Sequence, residues 1–200
     1  MFDLTGKVAL VTGVGSPAGI GFASAKLLAK AGAKIFITST TDRIFEREKH
    51  LKSLFGKDKV CSLAADLTEE DQVLNLSKTI IKKFNKIDIL VNNAGMVQIG
   101  NDQPSKKFIE HSLESWNYGI DINLKSTFLV TRNILPHLKK QKSGRIINIS
   151  SVTGPIVGIS GSTVYGSAKA AMLGLTRSLA IEEGKNGITV NCVGPGWIKT

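Results

Sequence analysis

Two hundred residues, 42% hydrophobic and 21% charged, with 20 glycines and only 5 prolines, carry enough apolar side chains to build a core and exclude disorder and collagen-like repeats. The net charge of +10 comes mostly from scattered lysines, among them Lys82-Lys83, Lys106-Lys107 and Lys139-Lys140 with Lys142. No aromatic residues interleave with them as base stacking would favour, so they read as solvated helix faces or as a surface for an acidic substrate or partner, not for nucleic acid.

At this length a single domain, residues 1–200, is expected. No apolar run is long enough for a membrane span, and the Met1 to Lys7 segment lacks the pattern of a secretion signal. Cys61 and Cys192 stand apart in strand-like runs, and no Cys or His clusters with metal-ligand spacing. A reducing cytoplasm is therefore expected, with neither disulfide nor metal.

In chain order, near-continuous apolar runs predict six buried strands at 7–12, 33–38, 60–65, 87–92, 144–150 and 187–193. Helical periodicity fills the gaps: 21–31 before Gly32, 42–55 before Gly56, 69–84 behind a Thr68 cap, and two long helices at 113–140 and 163–184. This alternation predicts a doubly wound α/β fold, a parallel sheet with helices on both faces. Ligands bind such sheets at the carboxyl ends of the strands, so the residues just after each strand are the ones to read.

The first strand exits into Thr12-Gly13-Val14-Gly15-Ser16-Pro17-Ala18-Gly19-Ile20-Gly21 and then a helix. Its glycines permit a tight turn and close backbone approach, and the helix amino terminus suits a pyrophosphate held by Gly13, Gly15, Ser16, Gly19, Ile20 and Gly21. After the second strand no carboxylate stands ready for a ribose 2′-hydroxyl. Ser39, Thr40 and Thr41, with Arg43, offer donors to a 2′-phosphate instead, which favours NADP(H) over NAD(H). Arg43 is equally readable as an exposed first-turn residue. Asp66-Leu67 follows the third strand, and Asn92-Asn93-Ala94-Gly95 ends the fourth with small residues able to pack beside an adenine.

Tyr165-Gly166-Ser167-Ala168-Lys169 opens a helix with Tyr and Lys four apart, hence on one face. The Lys169 ammonium can stand near the Tyr165 phenol and favour its ionised form, which suits acid/base chemistry. Ser150-Ser151 brings a hydroxyl to the same crevice, and Asn123 sits on an apolar helical stripe where a buried amide needs a hydrogen-bonding reason.

Together these residues resemble the short-chain dehydrogenase/reductase family over essentially the whole chain. Thr12-Gly13 with Gly19-Ile20-Gly21 is similar to its glycine motif, and Asn92-Asn93-Ala94-Gly95 to its Asn-Asn-Ala-Gly motif. Asn123, Ser151, Tyr165 and Lys169 are similar to its catalytic tetrad, and Pro195-Gly196 to its nicotinamide-side Pro-Gly. The resemblance implies an oxidoreductase in which Tyr165 gives a proton to a carbonyl oxygen held by Ser151 while the nicotinamide delivers hydride. Lys169 would bind the nicotinamide ribose and Asn123 a proton-relaying water.

Residues 144–151 and 187–191 look most like 3-oxoacyl-[acyl-carrier-protein] reductases and their relatives acting on sugars, polyols and steroids. That subgroup implies a carrier-bound substrate steered by Lys139, Lys140, Lys142 and Lys185, and a dimer through the two long helices. The other expectations are a free small alcohol, sugar or steroid as substrate, or a dinucleotide-binding protein without turnover.

Three departures stand out. Five residues, Val14 to Ala18 with Pro17 among them, separate the first two motif glycines where the family has three. Ser151 and Tyr165 are slightly farther apart than usual. The sequence stops at Thr200, where members of the family continue for roughly 50 residues through a helical lid and a seventh strand, so either a fragment or a naturally short chain is expected.

Overall fold

A computed structural model describes residues 2–96 and 106–198. Chain order is β1 (Val8–Thr12), α1 (Ile20–Lys30), β2 (Lys34–Ser39), α2 (Arg43–Phe55), β3 (Val60–Ala64), α3 (Glu70–Phe84), β4 (Ile89–Asn92), α4 (Leu113–Ile120), α5 (Ser126–Gln141), β5 (Gly144–Ile149), α6 (Thr163–Glu183) and β6 (Ile188–Val193). The strands form one parallel sheet in the order β3-β2-β1-β4-β5-β6. Strand order reverses between β1 and β4, and a crevice opens there at the carboxyl ends.

Alternation along each strand divides the core into two layers. Ala9, Val11, Ile35 and Ile37 pack with Phe22, Ala25 and Ala29 of α1 and with Ile44 and Leu51 of α2. Leu10, Phe36, Leu90 and Ile146 face the other way, against Val73, Leu76 and Ile80 of α3 and Leu129, Ile134 and Leu138 of α5. Each such fully buried Leu, Ile or Phe contributes roughly 1.5–3 kcal/mol. Substituting a charge at Leu10 or Ile35, neither of which retains exposed surface, would break its layer.

Several boundaries differ from the sequence reading. Predicted strands at 7, 33, 87 and 187 begin one or two residues later, because the preceding residues complete turns. Before β4, the Asp88 carboxylate takes the Val8 N–H at 2.9 Å. The expectation of six uniformly buried strands fails at the β5-β6 end. There Arg145, Thr189, Asn191 and Val193 are exposed, because α1 and α2 cover the β1-β2 side of the sheet and reach β5 only partly. Thr68 does not cap α3: its hydroxyl donates to Asp66 Oδ1, and the cap position falls to Glu69 without a side-chain bond.

The single helix expected over 113–140 is two helices joined by a π-helical turn, Asp121–Lys125. The turn carries Asn123. An added residue per turn cannot be seen in apolar periodicity, and such turns mark functional sites.

Candidate active site

The glycine turn is built by cross-strand hydrogen bonds. The Thr12 hydroxyl oxygen accepts from the N–H of Asn93 and of Ala94, both at 2.9 Å, and the Asn93 amide donates to the carbonyls of Thr12 and Gly13 at 3.0 and 3.1 Å. Gly13 has φ +69°, and a Cβ there would lie 2.8 Å from Ala94 Cα; one on Gly21 would lie 2.5 Å from Asn93 Nδ2. Only glycine fits either position. The Asn93 side-chain amide thus braces the β1 turn from the crevice wall.

The lengthened loop does not distort this turn. Ser16 to Gly19 form an outward bend in which Gly19 N–H donates to Ser16 O at 3.3 Å, so Pro17, lacking an N–H, sits where none is needed. Gly19 precedes α1 with no side-chain cap and no acid follows in the first turn, leaving the helix-start N–H groups for an anion. These features fit a dinucleotide pyrophosphate.

Gly15 lies against the end of β2, where a Cβ would come 3.4 Å from Ser39 Cβ. Ser39 Oγ donates to Thr41 O at 3.0 Å and Arg43 Nε to Thr41 Oγ1 at 3.1 Å, holding the exposed guanidinium against Thr41; Thr40 is exposed as well. Asp66 Oδ1 accepts from Thr68 N–H and hydroxyl, and Leu67 is buried.

Ser151, Tyr165 and Lys169 converge on the crevice, about 460 Å³ in volume, whose walls include Ile20, Asn93, Gly95, Pro195 and Gly196; Asn123 is buried behind Gly95 and does not line it. Lys169 is 2% exposed; its Nζ lies 5.6 Å from the Tyr165 ring centre and donates to Ile149 O at 3.0 Å. Burial pushes the ammonium down from 10.5 to about 8, with Cys192 acting in the opposite sense. Asn123 donates to Met96 O at 2.9 Å and Gly119 O at 3.1 Å, while its buried Oδ1 has no partner among the described residues. A Cβ on Gly95 would stand 2.7 Å from that Oδ1 and 3.1 Å from Lys169 Nζ. The absence of a side chain there leaves a small polar space between the two groups, of the kind ordered water fills.

Ser151 Oγ accepts from Thr153 N–H at 3.0 Å, leaving its proton free to donate into the crevice. The longer Ser151 to Tyr165 segment is absorbed by a bend. Gly154 (φ +100°) passes so close to α6 that a Cβ would collide with Gly166 O. Pro195 O accepts from Val152 N–H at 3.0 Å, joining the chain after β6 to the same wall.

Residues missed by sequence reasoning act through the main chain or through the lack of a side chain. They include the Ile149 carbonyl, the Thr153 amide, and Gly119, whose Cβ would meet Val164 Cγ1 at 2.5 Å where α4 crosses α6. Residue types do not announce such roles. Lys139, Lys140, Lys142 and Lys185 need correction: within one chain they lie beside the amino ends of β5 and β6, at the opposite end of the sheet from the crevice. Lys106 and Lys107, ahead of α4, are at the crevice end.

A dinucleotide cradle at the switch point of a parallel sheet, with a tyrosine and a buried lysine one turn apart beside it, defines a nucleotide-dependent oxidoreductase. The short chain dehydrogenase model matches residues 7–200, and the chain belongs to that family, whose cofactor is NAD(P)(H). It is 40% identical over 201 residues to the oxidoreductase UcpA of Salmonella typhimurium LT2, covering 100% of this chain and 72% of that one. It is 38% identical to a 3-oxoacyl-[acyl-carrier-protein] reductase of Synechocystis (100% and 77% covered) and 40% identical to FabG, the reductase of that description from Aquifex aeolicus (98% and 76%). A solved structure from Sinorhizobium meliloti 1021, provisionally described as a short-chain alcohol dehydrogenase, superposes with a TM-score of 0.89 at 31% identity, covering 100% of this chain and 75% of that one.

Proposed function

We propose that this oxidoreductase reduces a carbonyl with NADPH, and that its substrate is a 3-oxoacyl group of the kind carried on acyl carrier protein. The convergence of Tyr165, Lys169 and Ser151 on one crevice beside the glycine turn, with Asn123 Oδ1 buried behind Gly95, carries the reading. When bound, the nicotinamide supplies hydride for reduction and accepts it in oxidation. Tyr165 holds the proton that passes to the substrate oxygen, and Ser151 donates its free proton to the same oxygen. Lys169 holds ribose hydroxyls and keeps positive charge beside the phenol. Asn123 Oδ1 retains a water in the space at Gly95, through which the proton is replaced.

Gly13, Gly15, Ser16, Gly19, Ile20 and Gly21 would take the pyrophosphate, and Thr40 and Arg43 the 2′-phosphate, joined by Ser39 once its hydroxyl turns from Thr41 O. Asp66, Leu67 and Asn93 to Gly95 would line the adenosine side, and Pro195-Gly196 the nicotinamide side. The reading treats residues 1–200 as one dinucleotide-binding domain, supported by the single sheet that both core layers share. Two free thiols, Cys61 and Cys192, suit a reducing cytoplasm, and no described helix is long and apolar enough to cross a membrane. A homodimer through α4, α5 and α6 is supported by exposed Tyr118, Phe128 and Ile181 on those helices. Light scattering showing a monomer would remove it.

The substrate is tested by comparing NADPH oxidation with a 3-oxoacyl carrier protein and with ethyl acetoacetate as salt rises. Loss confined to the carrier-bound substrate supports an acidic carrier, because exposed charges are screened over about 8–10 Å at 0.1–0.15 M salt. Glutamate at Lys106 and Lys107, or at Lys139 and Lys140, then locates its docking face. Equal rates favour a free alcohol or ketone, the second reading, supported by the equal identity to UcpA, whose name specifies no carrier.

A further inference from the structure

We propose that Ser150 is a positioning residue, whose buried hydroxyl locks the backbone of Lys169 to the end of β5 and so sets where the lysine ammonium stands. The inference rests on the reading of Tyr165 and Lys169 as the reactive pair.

The two consecutive serines use their protons in opposite directions. Ser151 accepts from a backbone amide and keeps its proton for the crevice. Ser150 Oγ spends its only proton on Lys169 O, at 2.8 Å across 19 residues of chain, and the side chain is buried. Ser150 therefore has no proton to offer a substrate. Its N–H is bonded to Val193 O at 2.8 Å, which anchors the serine itself to β6.

The other end of Lys169 returns to the same place. Its Nζ donates to the carbonyl of Ile149, the residue immediately before Ser150. Strand β5 therefore grips Lys169 twice, by the main chain through Ser150 and by the ammonium through Ile149. The carbonyl of a mid-helix residue already has its helical donor, so the Ser150 bond is not needed to satisfy it. The bond adds a cross-link between strand and helix at the residue whose ammonium must face Tyr165. Without it, the main chain of α6 at Lys169 has no hydrogen bond to β5; the Asn148 to Thr176 bond lies about two turns further on and the Ile149 carbonyl holds only the tip of the lysine, whose long stem regains freedom.

The test uses Ser150→Ala and Ser150→Thr in the full chain. With NADPH and ethyl acetoacetate, Ser150→Ala is expected to lower kcat about tenfold, since small misplacements of reactive groups are costly, with KM for ethyl acetoacetate within about twofold and KM for NADPH raised, because Lys169 also holds the ribose hydroxyls. In the cofactor-free protein carrying ε-13C-labelled lysine, the Lys169 resonance, identified by its loss in Lys169→Met, should titrate near 8 in the parent and higher in Ser150→Ala. Ser150→Thr, which keeps a hydroxyl, should restore both. Unchanged kcat overturns the proposal, as does a fall in kcat with an unmoved Lys169 titration, which marks a packing defect. If the added methyl of Thr prevents folding, the titration in Ser150→Ala decides alone. Activity retained in Tyr165→Phe would sink the underlying reading of the pair, while the lysine titration still judges the Ser150 bond.

Discussion

The Lys169 ammonium stands 5.6 Å from the centre of the Tyr165 ring while bonded to Ile149 O, so a buried cation is placed against an aromatic face by the strand beneath it. That is cation–π distance, and it keeps positive charge beside the phenol with no carboxylate bonded to the ammonium among the described residues. A neutral carbonyl orients the cation without cancelling its charge.

Tyr165→Phe keeps the ring and its contact with Lys169 and removes the proton. Reduction of ethyl acetoacetate should fall by at least about 100-fold, while NADPH binding measured by fluorescence stays within a few-fold.

The depressed Lys169 predicts an uncommon pH dependence of stability. Its folded pKa, about 8, lies below 10.5, so between those values the unfolded state binds more protons. Stability from this group therefore rises with pH through that window, and the full burial penalty, about 3 kcal/mol, applies below pH 8. Lys169→Met should unfold at higher temperature than the parent at pH 7, with the gap narrowing by pH 9.5. Calorimetry at both values, without cofactor, checks this; a gap independent of pH contradicts it.

Arg43 is held at the end of β2 by its bond to Thr41 Oγ1. Arg43→Ala should weaken NADPH about five- to tenfold, as expected for losing an exposed charge-assisted contact, and leave NADH nearly unchanged. Tighter binding of NADH than NADPH by the unmutated protein would overturn the assignment of the 2′-phosphate site.

Gly21→Ala forces a methyl within 2.5 Å of Asn93 Nδ2 and 2.7 Å of Gly13 O. The β1 turn must open, breaking the Asn93 bonds to Thr12 and Gly13. We expect a destabilisation of about 2–4 kcal/mol in urea unfolding, with loss of dinucleotide binding. Gly158→Ala, with nothing within 4 Å of its Cβ, should do neither.

Much of this protein was legible in its sequence because the relevant signals are local. Apolar runs alternating with amphipathic ones determine a parallel α/β sheet, since each element must bury its own face. Tyr165 and Lys169 share a helix face by spacing alone, and the glycines of the first loop declare a turn. What the tertiary structure decided is how side chains from distant elements divide the work. It gave the Asn93 amide the bracing of the β1 turn, and interrupted the expected long helix at Asn123 by a π turn. It also carried Lys139 and Lys142 to the far end of the sheet and gave Ser150 and Ser151 opposite hydrogen-bonding directions. A hydroxyl's role depends on which partner lies within about 3 Å of it, and for Ser150 that partner is 19 residues away in the chain, brought into reach only when α6 packs against the end of β5.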